Sequence, residues 1–425
     1  MLPLWLEQSR SRKIFIGLQT PNIMKPRMGK IKNTLKKSIF VKNKYYTVRR
    51  SIENNDILQA IINKYATTSM AINSNYNYIV RQERKLSLFH NAAFIKEIEI
   101  NKNCNLDCLM CKTSLSNRKQ QNMDIALFES IIAYINKTNQ NGIVSLHTIG
   151  EPLLNPLLED YFAILKRYNI KVQLSTNCQL LDKKLPLLCK YAESIHGIRF
   201  SIDGARKETY EKIRTPGKFD KLINNLELFK EVNKDKRYFK KVTIDSIVST
   251  DVQDELAYHL FFYSQYTEMV NIGLHLMNGL SLNNEYFFNN SVLKKHIVKN
   301  HPCMQLNGNV HILCDGSVTA CCRDYNGDLI FGSIKNDCPE NLINNEKIVQ
   351  LRKAHISKQS LGTLCDNCYA VDPIVSQLFS LFVRTLILRN SDTWNVDNMQ
   401  KIFNRFFELF HDSVPDVKEY LSLFR

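Results

Sequence analysis

The chain has 425 residues, with 57 Lys and Arg against 41 Asp and Glu and a formal net charge of +16. Twelve cysteines would suggest disulfides in a secreted protein, but the opening Met-Leu-Pro-Leu-Trp-Leu is too short for the apolar region of a signal peptide. No apolar run reaches transmembrane length. We therefore expect a folded core of ordinary size with one or two appendages, and reduced thiols.

The positive charge is concentrated at the start of the chain. Residues 1–50 contain thirteen Lys or Arg and a single acidic residue, Glu7. Such a basic arm is suited to an acidic or nucleic-acid partner. The alternatives are a solvated tail or residues that precede a start at Met24 or Met28. Weak helical periodicity between 57 and 65 predicts a helical cap, so residues 1–92 are interpreted as arm and cap.

Apolar segments and helical patterns then alternate along the chain. Residues 94–100 are predicted to form the first strand. Five further strands are predicted at 143–149, 171–177, 197–204, 241–248 and 269–277. Helical spacing of apolar residues occupies 124–138, 157–168 and 219–232. Strands that alternate with helices predict an α/β fold with a parallel sheet and right-handed connections.

Three cysteines follow the first predicted strand within eight residues. Cys104, Cys108 and Cys111 form the sequence CNLDCLMC. Iron–sulfur clusters are held by cysteine thiolates, and a four-iron cluster normally takes four of them. Three ligands on one loop would leave one iron open, as in a reactive metal site. A zinc knuckle or three unrelated cysteines are the alternatives at this spacing.

The spacing of these cysteines resembles that of the radical S-adenosylmethionine (SAM) enzymes. In that family the open iron binds the amino and carboxylate groups of SAM, and an electron from the cluster cleaves SAM to a 5′-deoxyadenosyl radical. The radical abstracts hydrogen from the substrate. An aromatic residue often precedes the third cysteine, whereas this chain has Met110. The resemblance implies a 4Fe–4S cluster on Cys104, Cys108 and Cys111, with SAM as the second cofactor.

Small polar residues end the next three predicted strands, in the order found in that family. The resemblance implies that Glu151 contacts the SAM amino group and that the other residues hold its remaining polar parts. The implied SAM contacts are Gly150, Glu151, Pro152, Ser175, Asn177, Ser201 and Arg214. The family also implies a partial, six-stranded (β/α)6 TIM-type barrel over residues 93–280. Ligands of such sheets bind at the carboxyl ends of the strands.

A second cysteine group spans residues 303–368 and includes a predicted β-hairpin, with Asp315-Gly316 at its turn. Its Cys-x-x-Cys pair would suit a closed zinc site. Beside a radical SAM core, it resembles the SPASM extension, which carries auxiliary iron–sulfur clusters. No cysteine follows Cys368, so we expect a single auxiliary 4Fe–4S cluster. Its predicted ligands are Cys303, Cys321, Cys365 and Cys368, with Cys322 a rival for Cys321 and Cys314 and Cys338 less well placed.

The domain organisation follows from these segments. Residues 281–370 form the SPASM-like domain, and residues 371–425 form a helical segment that we expect to pack against the barrel. The resemblance implies a cytoplasmic enzyme that takes electrons from a donor such as flavodoxin or ferredoxin. Peptide modification is the first hypothesis, and dehydrogenation or epimerisation of a sugar or aminocyclitol is the second. RNA modification, or a non-catalytic zinc-stabilised nucleic-acid-binding protein, is a further alternative.

Overall fold

The structure is a computed structural model that describes residues 66–83, 85–111, 113–140, 142–267, 269–274, 285–299, 302–360, 362–390 and 395–424. The basic arm at 1–50 and the periodic residues at 57–65 lie outside this part of the chain. The first described helix, α1 (Ser69–Val80), belongs to the predicted cap. None of the helices in the described ranges is both long enough and apolar enough to span a membrane.

Six parallel strands form the centre of the molecule and pair in sequence order. They are β1 (Phe94–Ile98), β2 (Val144–Ser145), β3 (Val172–Thr176), β4 (Ile195–Ser201), β5 (Val242–Ile247) and β6 (Val270–Gly273). The connecting helices are α2 (Ile125–Thr138), α3 (Leu158–Arg167), α4 (Leu181–Lys190), α5 (Lys207–Ile213), α6 (Phe219–Lys236) and α7 (Leu256–Ser264). The alternation confirms the predicted α/β partial barrel.

Strand β2 is shorter than its apolar pattern predicted. Only Val144 and Ser145 are in strand conformation, although the backbone N–H of Leu146 still donates to the Gln173 carbonyl at 3.0 Å. The chain then turns towards Gly150, whose φ is +90°. Buried apolar residues after Ser145 therefore belong to a turn that approaches the cysteine loop, and their apolar character alone does not distinguish this turn from a strand.

The cysteine-rich segment extends the barrel sheet at its β1 edge. Strand β8 (Asn309–Ile312) pairs in parallel with β1, and β9 (Ser317–Thr319) and β10 (Ile330–Ser333) follow in antiparallel order. The β8–β9 hairpin confirms the predicted one and turns at Gly316, with φ +89°. A separate antiparallel pair joins β7 (Ile297–Lys299) to β11 (Tyr369–Val371). The remaining helices of this region are α8 (Glu285–Asn290), α9 (Pro339–Leu342) and α10 (Glu346–Ser357).

The two faces of the parallel sheet differ in polarity. The outer face packs on the helices, as Phe200 of β4 shows by meeting Phe229 of α6 edge to face at 5.0 Å between ring centroids. Register partners share a face, and Arg199, Asp245 and Asn271 lie on the opposite face from Phe200. Parallel strands covered on both faces are normally apolar throughout. Arg199 and Asn271 are exposed and Asp245 is partly exposed, so packed core does not cover this polar part of the inner face.

Three helices follow the cysteine-rich segment, and the first two of them pack against the barrel, as expected. They are α11 (Pro373–Asn390), α12 (Val396–Leu409) and α13 (Val417–Ser422). Phe382 of α11 and Phe406 of α12 are buried, with ring centroids 4.6 Å apart. The Gln400 side chain of α12 accepts a hydrogen bond from the Ala257 N–H at the start of α7, at 3.0 Å. Aromatic burial and this polar contact fix α12 on the barrel.

Candidate functional site

The three cysteines of the CNLDCLMC loop are held together by the backbone. The loop follows the carboxyl end of β1, and its Asp107 and Leu109 N–H groups donate to the carbonyls of Thr215 and Ile213, at 2.7 and 3.0 Å. The Cys111 N–H donates to the Cys108 carbonyl at 2.9 Å. The thiols lie close enough to interact electrostatically. A short loop pinned to the end of α5 therefore gathers all three predicted ligands.

Each of these sulfurs also has a polar neighbour from a distant segment. Within 3.9 Å, Asn177 Nδ2 approaches Cys104, Arg214 Nη1 approaches Cys108, and the Tyr325 hydroxyl approaches Cys111. Hydrogen-bond donors stabilise thiolate sulfur and set the potential of a cluster bound to it. The three contacts arrange one donor around each sulfur.

Burial opposes ionisation of these thiols when no metal is bound. Burial raises the pKa of Cys104 to about 12 and that of Cys108 to about 11. A metal ion bound here would displace the thiol protons, because the thiolate is the form that binds metals. Three gathered thiols with surrounding donors fit the three-cysteine ligand set of a 4Fe–4S cluster with one open iron.

The turn at Gly150 is built against the backbone that precedes the cysteine loop. A Cβ at Gly150 would lie 2.6 Å from the Asn101 carbonyl oxygen, and φ is +90°, so glycine is required on both counts. The Glu151 N–H donates to the Asn103 carbonyl at 2.8 Å, and Pro152 begins a short 3₁₀ helix. The predicted Gly-Glu-Pro motif therefore lies directly beside the catalytic cysteine loop.

The Glu151 carboxylate is almost fully buried, at 2% exposure. Its Oε1 accepts from the Leu153 N–H at 3.0 Å and the Thr176 hydroxyl at 2.7 Å, and its Oε2 accepts from the Asn177 N–H at 2.8 Å. Burial raises the pKa of Glu151 above its ordinary value, although these hydrogen bonds act in the opposite direction. Oε2 retains acceptor capacity for one further donor, such as an ammonium group.

The other predicted SAM contacts gather at the ends of β3 and β4. The hydroxyls of Ser175 and Ser201 lie 3.2 Å apart. Asn177 Nδ2 donates to Asn105 Oδ1 at 3.0 Å. Arg214 forms an ion pair with Asp203 at 2.5 Å, and Asp203 also accepts the Ile247 N–H at 2.7 Å. Asn177 and Arg214 contact the cysteine loop, and Gly150 and Glu151 contact the backbone just before it. Ser175 and Ser201 lie at the carboxyl ends of β3 and β4.

The second cysteine group also converges, although its members are far apart in sequence. Cys303 interacts electrostatically with both Cys321 and Cys365, and Cys365 does so with Cys368. The four predicted auxiliary ligands are thus neighbours. Cys303 precedes β8 and Cys321 follows the antiparallel β9, so both lie towards the amino end of β8.

The rival cysteines lie in different surroundings. Cys322 interacts first with the neighbouring Cys321 thiol, by a hydrogen bond, and also with Glu97 of β1 and His311 of β8. Cys314 is buried beside the Glu99–Arg118 ion pair, with Arg118 Nη2 3.6 Å from its sulfur. Cys338 caps the first turn of α9. Their contacts favour Cys321 over Cys322 as a partner of Cys303.

Several site residues were missed in the sequence. Tyr325 belongs to the cysteine-rich domain. Its carbonyl accepts a hydrogen bond from the Ser116 hydroxyl at 2.5 Å, which holds it beside the segment that follows the cysteine loop. Asp203 was visible as a strand-end residue, and its spacing from Arg214 could have suggested the ion pair. Thr176 lies between Ser175 and Asn177, two of the predicted SAM contacts. No local pattern marked Tyr325, because its contact with Cys111 spans more than two hundred residues.

Two protein-family models match the chain. The radical SAM superfamily model matches residues 98–254, and the SPASM iron–sulfur cluster-binding domain matches residues 303–369. The chain therefore contains a radical SAM domain and a SPASM domain. The two domains imply a 4Fe–4S cluster and SAM as cofactors, together with auxiliary iron–sulfur binding. The match favours an enzyme over a non-catalytic zinc-stabilised protein.

Individual relatives are more distant. The chain is 32% identical over 91 residues to an S-adenosyl-L-methionine-dependent 2-deoxy-scyllo-inosamine dehydrogenase of Niallia circulans, covering 21% of this chain and 36% of that protein. It is 27% identical over 171 residues to a GTP 3′,8-cyclase of Helicobacter pylori, covering 40% and 51%. The chain thus spans about a third to a half of the lengths of these curated relatives.

A solved structure of Streptococcus suis SuiB bound to the precursor peptide SuiA is also similar. The similarity covers 62% of this chain and 67% of that one, at 15% identity and a TM-score of 0.47.

Proposed function

We propose that the protein reductively cleaves SAM at a cluster held by Cys104, Cys108 and Cys111, and abstracts hydrogen from its substrate. The observation that carries the proposal is the convergence of three thiols from one loop, each with a polar donor from another segment. When bound, the cluster and SAM supply the 5′-deoxyadenosyl radical. The chain supplies the ligands, the orientation and the exclusion of water.

The residues around the loop would hold SAM by complementary polar contacts. The free acceptor position on Glu151 Oε2 suits the SAM ammonium group, and Gly150 lets the backbone approach it closely. Ser175, Asn177 and Ser201 offer hydroxyl and amide groups at the carboxyl ends of β3 and β4. Arg214, fixed by Asp203, carries positive charge towards Cys108 and suits an anionic group.

We assign one auxiliary cluster to Cys303, Cys321, Cys365 and Cys368. Electrostatic contacts connect these four thiols, and Cys303 interacts with Cys321. Cys322 is hydrogen-bonded to Cys321 and also lies beside Glu97 and His311. An auxiliary cluster would accept or deliver one electron when a substrate radical is oxidised or reduced. An external electron donor, such as flavodoxin or ferredoxin, would supply the electron that SAM cleavage consumes.

For the substrate, the polar inner face of the sheet favours a small hydroxylated molecule such as a sugar or aminocyclitol. Arg199 Nε contacts Asp245 Oδ2 at 2.7 Å, and Asn271 Nδ2 donates to Asp245 Oδ1 at 2.8 Å. Arg199 is about half exposed, at 49% for its side chain. Charged groups lining a cavity recognise hydroxyl and amino groups by directed hydrogen bonds. The similarity to the inosamine dehydrogenase supports the same substrate class.

The corresponding reaction is dehydrogenation of a secondary alcohol. Conversion of the alcohol to a ketone would remove one hydrogen atom, one proton and one electron from the substrate, and a cluster held by Cys303, Cys321, Cys365 and Cys368 would supply the acceptor for the electron. Epimerisation would instead return a hydrogen atom to the carbon. Peptide modification, the first hypothesis from the sequence, stays a prediction, because no contact of the described residues favours a peptide backbone.

The test is substrate-stimulated cleavage of SAM in the anaerobic, cluster-loaded enzyme. Carbon-deuterated aminocyclitols, such as 2-deoxy-scyllo-inosamine, are offered beside deuterated peptides, and deuterium in 5′-deoxyadenosine is measured by mass spectrometry. Transfer from an aminocyclitol supports the proposal, and Asp245→Asn should reduce it at least about tenfold, while Arg167→Gln on the outer helix α3 should not. Deuterium transfer from a peptide alone would refute the aminocyclitol hypothesis and support peptide modification.

A further inference from the structure

A buried group of three different metal-ligand types lies beside the auxiliary cysteines. Glu97 on β1, His311 on β8 and Cys322 after β9 each offer one ligand atom, and these atoms all lie within 4.8 Å of one another. Glu97 and His311 are register partners on neighbouring strands, so the pairing of β1 with β8 sets their approach. The group belongs neither to the catalytic loop nor to the four assigned auxiliary ligands.

The hydrogen bonding of His311 leaves one ring nitrogen unused. Nδ1 lies 2.9 Å from Glu97 Oε2, and the His311 side chain is fully buried. Within the described part of the chain, Nε2 is also buried and has no hydrogen-bond partner. Because Nδ1 faces Glu97, an ion bound by both residues would take Nδ1 and replace the proton shared between them.

A second imidazole lies near the same carboxylate. His147, which follows β2, interacts electrostatically with Glu97, and among the described residues its buried Nδ1 has no partner either. Two imidazoles therefore lie near one carboxylate.

We propose that Glu97, His311 and Cys322 form a third metal site, which takes a single Zn²⁺ ion. Thiolate, imidazole and carboxylate are the three ligand types that zinc accepts, and a tetrahedral ion with three protein ligands keeps one position open. The site goes beyond SAM cleavage and does not depend on the substrate. It also gives a role to Cys322, which the auxiliary cluster leaves unassigned.

The first experiment counts metals and determines the zinc ligands. Enzyme with reconstituted clusters receives one equivalent of ZnCl₂ under anaerobic conditions, is desalted, and is analysed for iron and zinc. The expected result is one zinc beside roughly eight irons per chain, with zinc K-edge absorption showing one sulfur at about 2.3 Å and the remaining ligands nitrogen or oxygen at about 2.0–2.1 Å. Zinc surrounded by four sulfurs would place it in the auxiliary cysteines, and no retained zinc would leave the site without an ion; both overturn the proposal.

The second experiment uses variants of the three ligands. His311→Gln and Cys322→Ser should each weaken zinc binding at least tenfold with the iron content unchanged. His90→Gln removes another histidine whose buried Nε2 has no partner in the described residues, and should leave zinc binding intact. Glu97→Gln keeps the shape of its side chain and serves as a further test if His311→Gln fails to fold. A loss of about four irons in Cys322→Ser would assign Cys322 to the auxiliary cluster and refute the zinc site.

Discussion

The two cysteine centres of this protein are built in opposite ways. The catalytic centre draws its three thiols from a single loop that is pinned to the end of α5, while the auxiliary centre draws four thiols from three segments that only the folded sheet brings together. Closing a short loop costs little conformational entropy, and closing several long ones costs more. The catalytic ligands are therefore set by local sequence, and the auxiliary ligands by tertiary structure.

The two centres are also physically connected. The turn that follows Cys321 carries Tyr325, whose hydroxyl lies 3.9 Å from Cys111, and the Asn117 N–H donates to the Asn326 side chain at 3.1 Å. The SPASM domain thus contributes a residue to the surroundings of the catalytic sulfurs. The comparison predicts that damage to the catalytic loop stops all chemistry, whereas damage to the auxiliary cysteines stops only the later steps.

The largest effect is expected from Cys108→Ala. Loss of one of three thiolates should remove the catalytic cluster and lower 5′-deoxyadenosine formation at least about 100-fold. Cys189→Ala, which removes a half-buried thiol outside both centres, is the matched control. The measurement is chromatography of 5′-deoxyadenosine after anaerobic reduction without substrate. Normal formation by Cys108→Ala would reject the ligand assignment.

The Cys365→Ala variant should distinguish the roles of the two cysteine centres. About four irons should be lost, SAM cleavage without substrate should stay within about twofold of the unmodified enzyme, and product should no longer form, because the substrate radical has no electron acceptor. Cys338→Ala, in the same domain but at the start of α9, should change neither iron content nor turnover. Full turnover by Cys365→Ala would show that the auxiliary centre is not needed for chemistry.

Gly150→Ala tests how tightly the catalytic loop is supported. An alanine at φ +90° with Cβ 2.6 Å from the Asn101 carbonyl should destabilise the protein by at least roughly 1–3 kcal/mol and displace Glu151. Gly362→Ala also has positive φ, +66°, but faces open space and should cost less. Denaturant unfolding of the two variants is compared with their affinity for SAM. Equal stability would contradict the close approach described at Gly150.

The smallest effect is expected from Tyr325→Phe. Removal of the hydroxyl deletes a donor to Cys111 and should lower the reduction potential of the catalytic cluster by on the order of 20–60 mV, which corresponds to a hydrogen bond of about 0.5–1.5 kcal/mol. Tyr134→Phe, on α2 and bonded to Glu340, should leave the potential unchanged. An electron paramagnetic resonance redox titration measures both. An unchanged reduction potential of the catalytic cluster in Tyr325→Phe would show that Tyr325 does not couple the two domains.

Most of the fold and of the catalytic site followed from the sequence. Strand and helix periodicities predicted the six parallel strands, and small polar residues at the strand ends predicted a site at the carboxyl end of the sheet. The continuous pairing of β8 with β1 was not predicted, because that contact joins residues more than two hundred positions apart. Tyr325 and the group of Glu97, His311 and Cys322 were not predicted for the same reason, because their contacts also join residues far apart in the sequence. The choice between Cys321 and Cys322 depends on side-chain direction at the end of β9, which adjacent cysteines in a sequence do not reveal.

The central claim is that Cys104, Cys108 and Cys111 hold a cluster with one iron open to SAM. The most direct measurement is the electron paramagnetic resonance spectrum of the anaerobically reduced Cys365→Ala variant, in which only this cluster is expected to remain. We predict a reduced 4Fe–4S signal whose shape changes when SAM is added, because SAM ligates the open iron. A missing signal, or a signal that SAM leaves unchanged, would contradict the account.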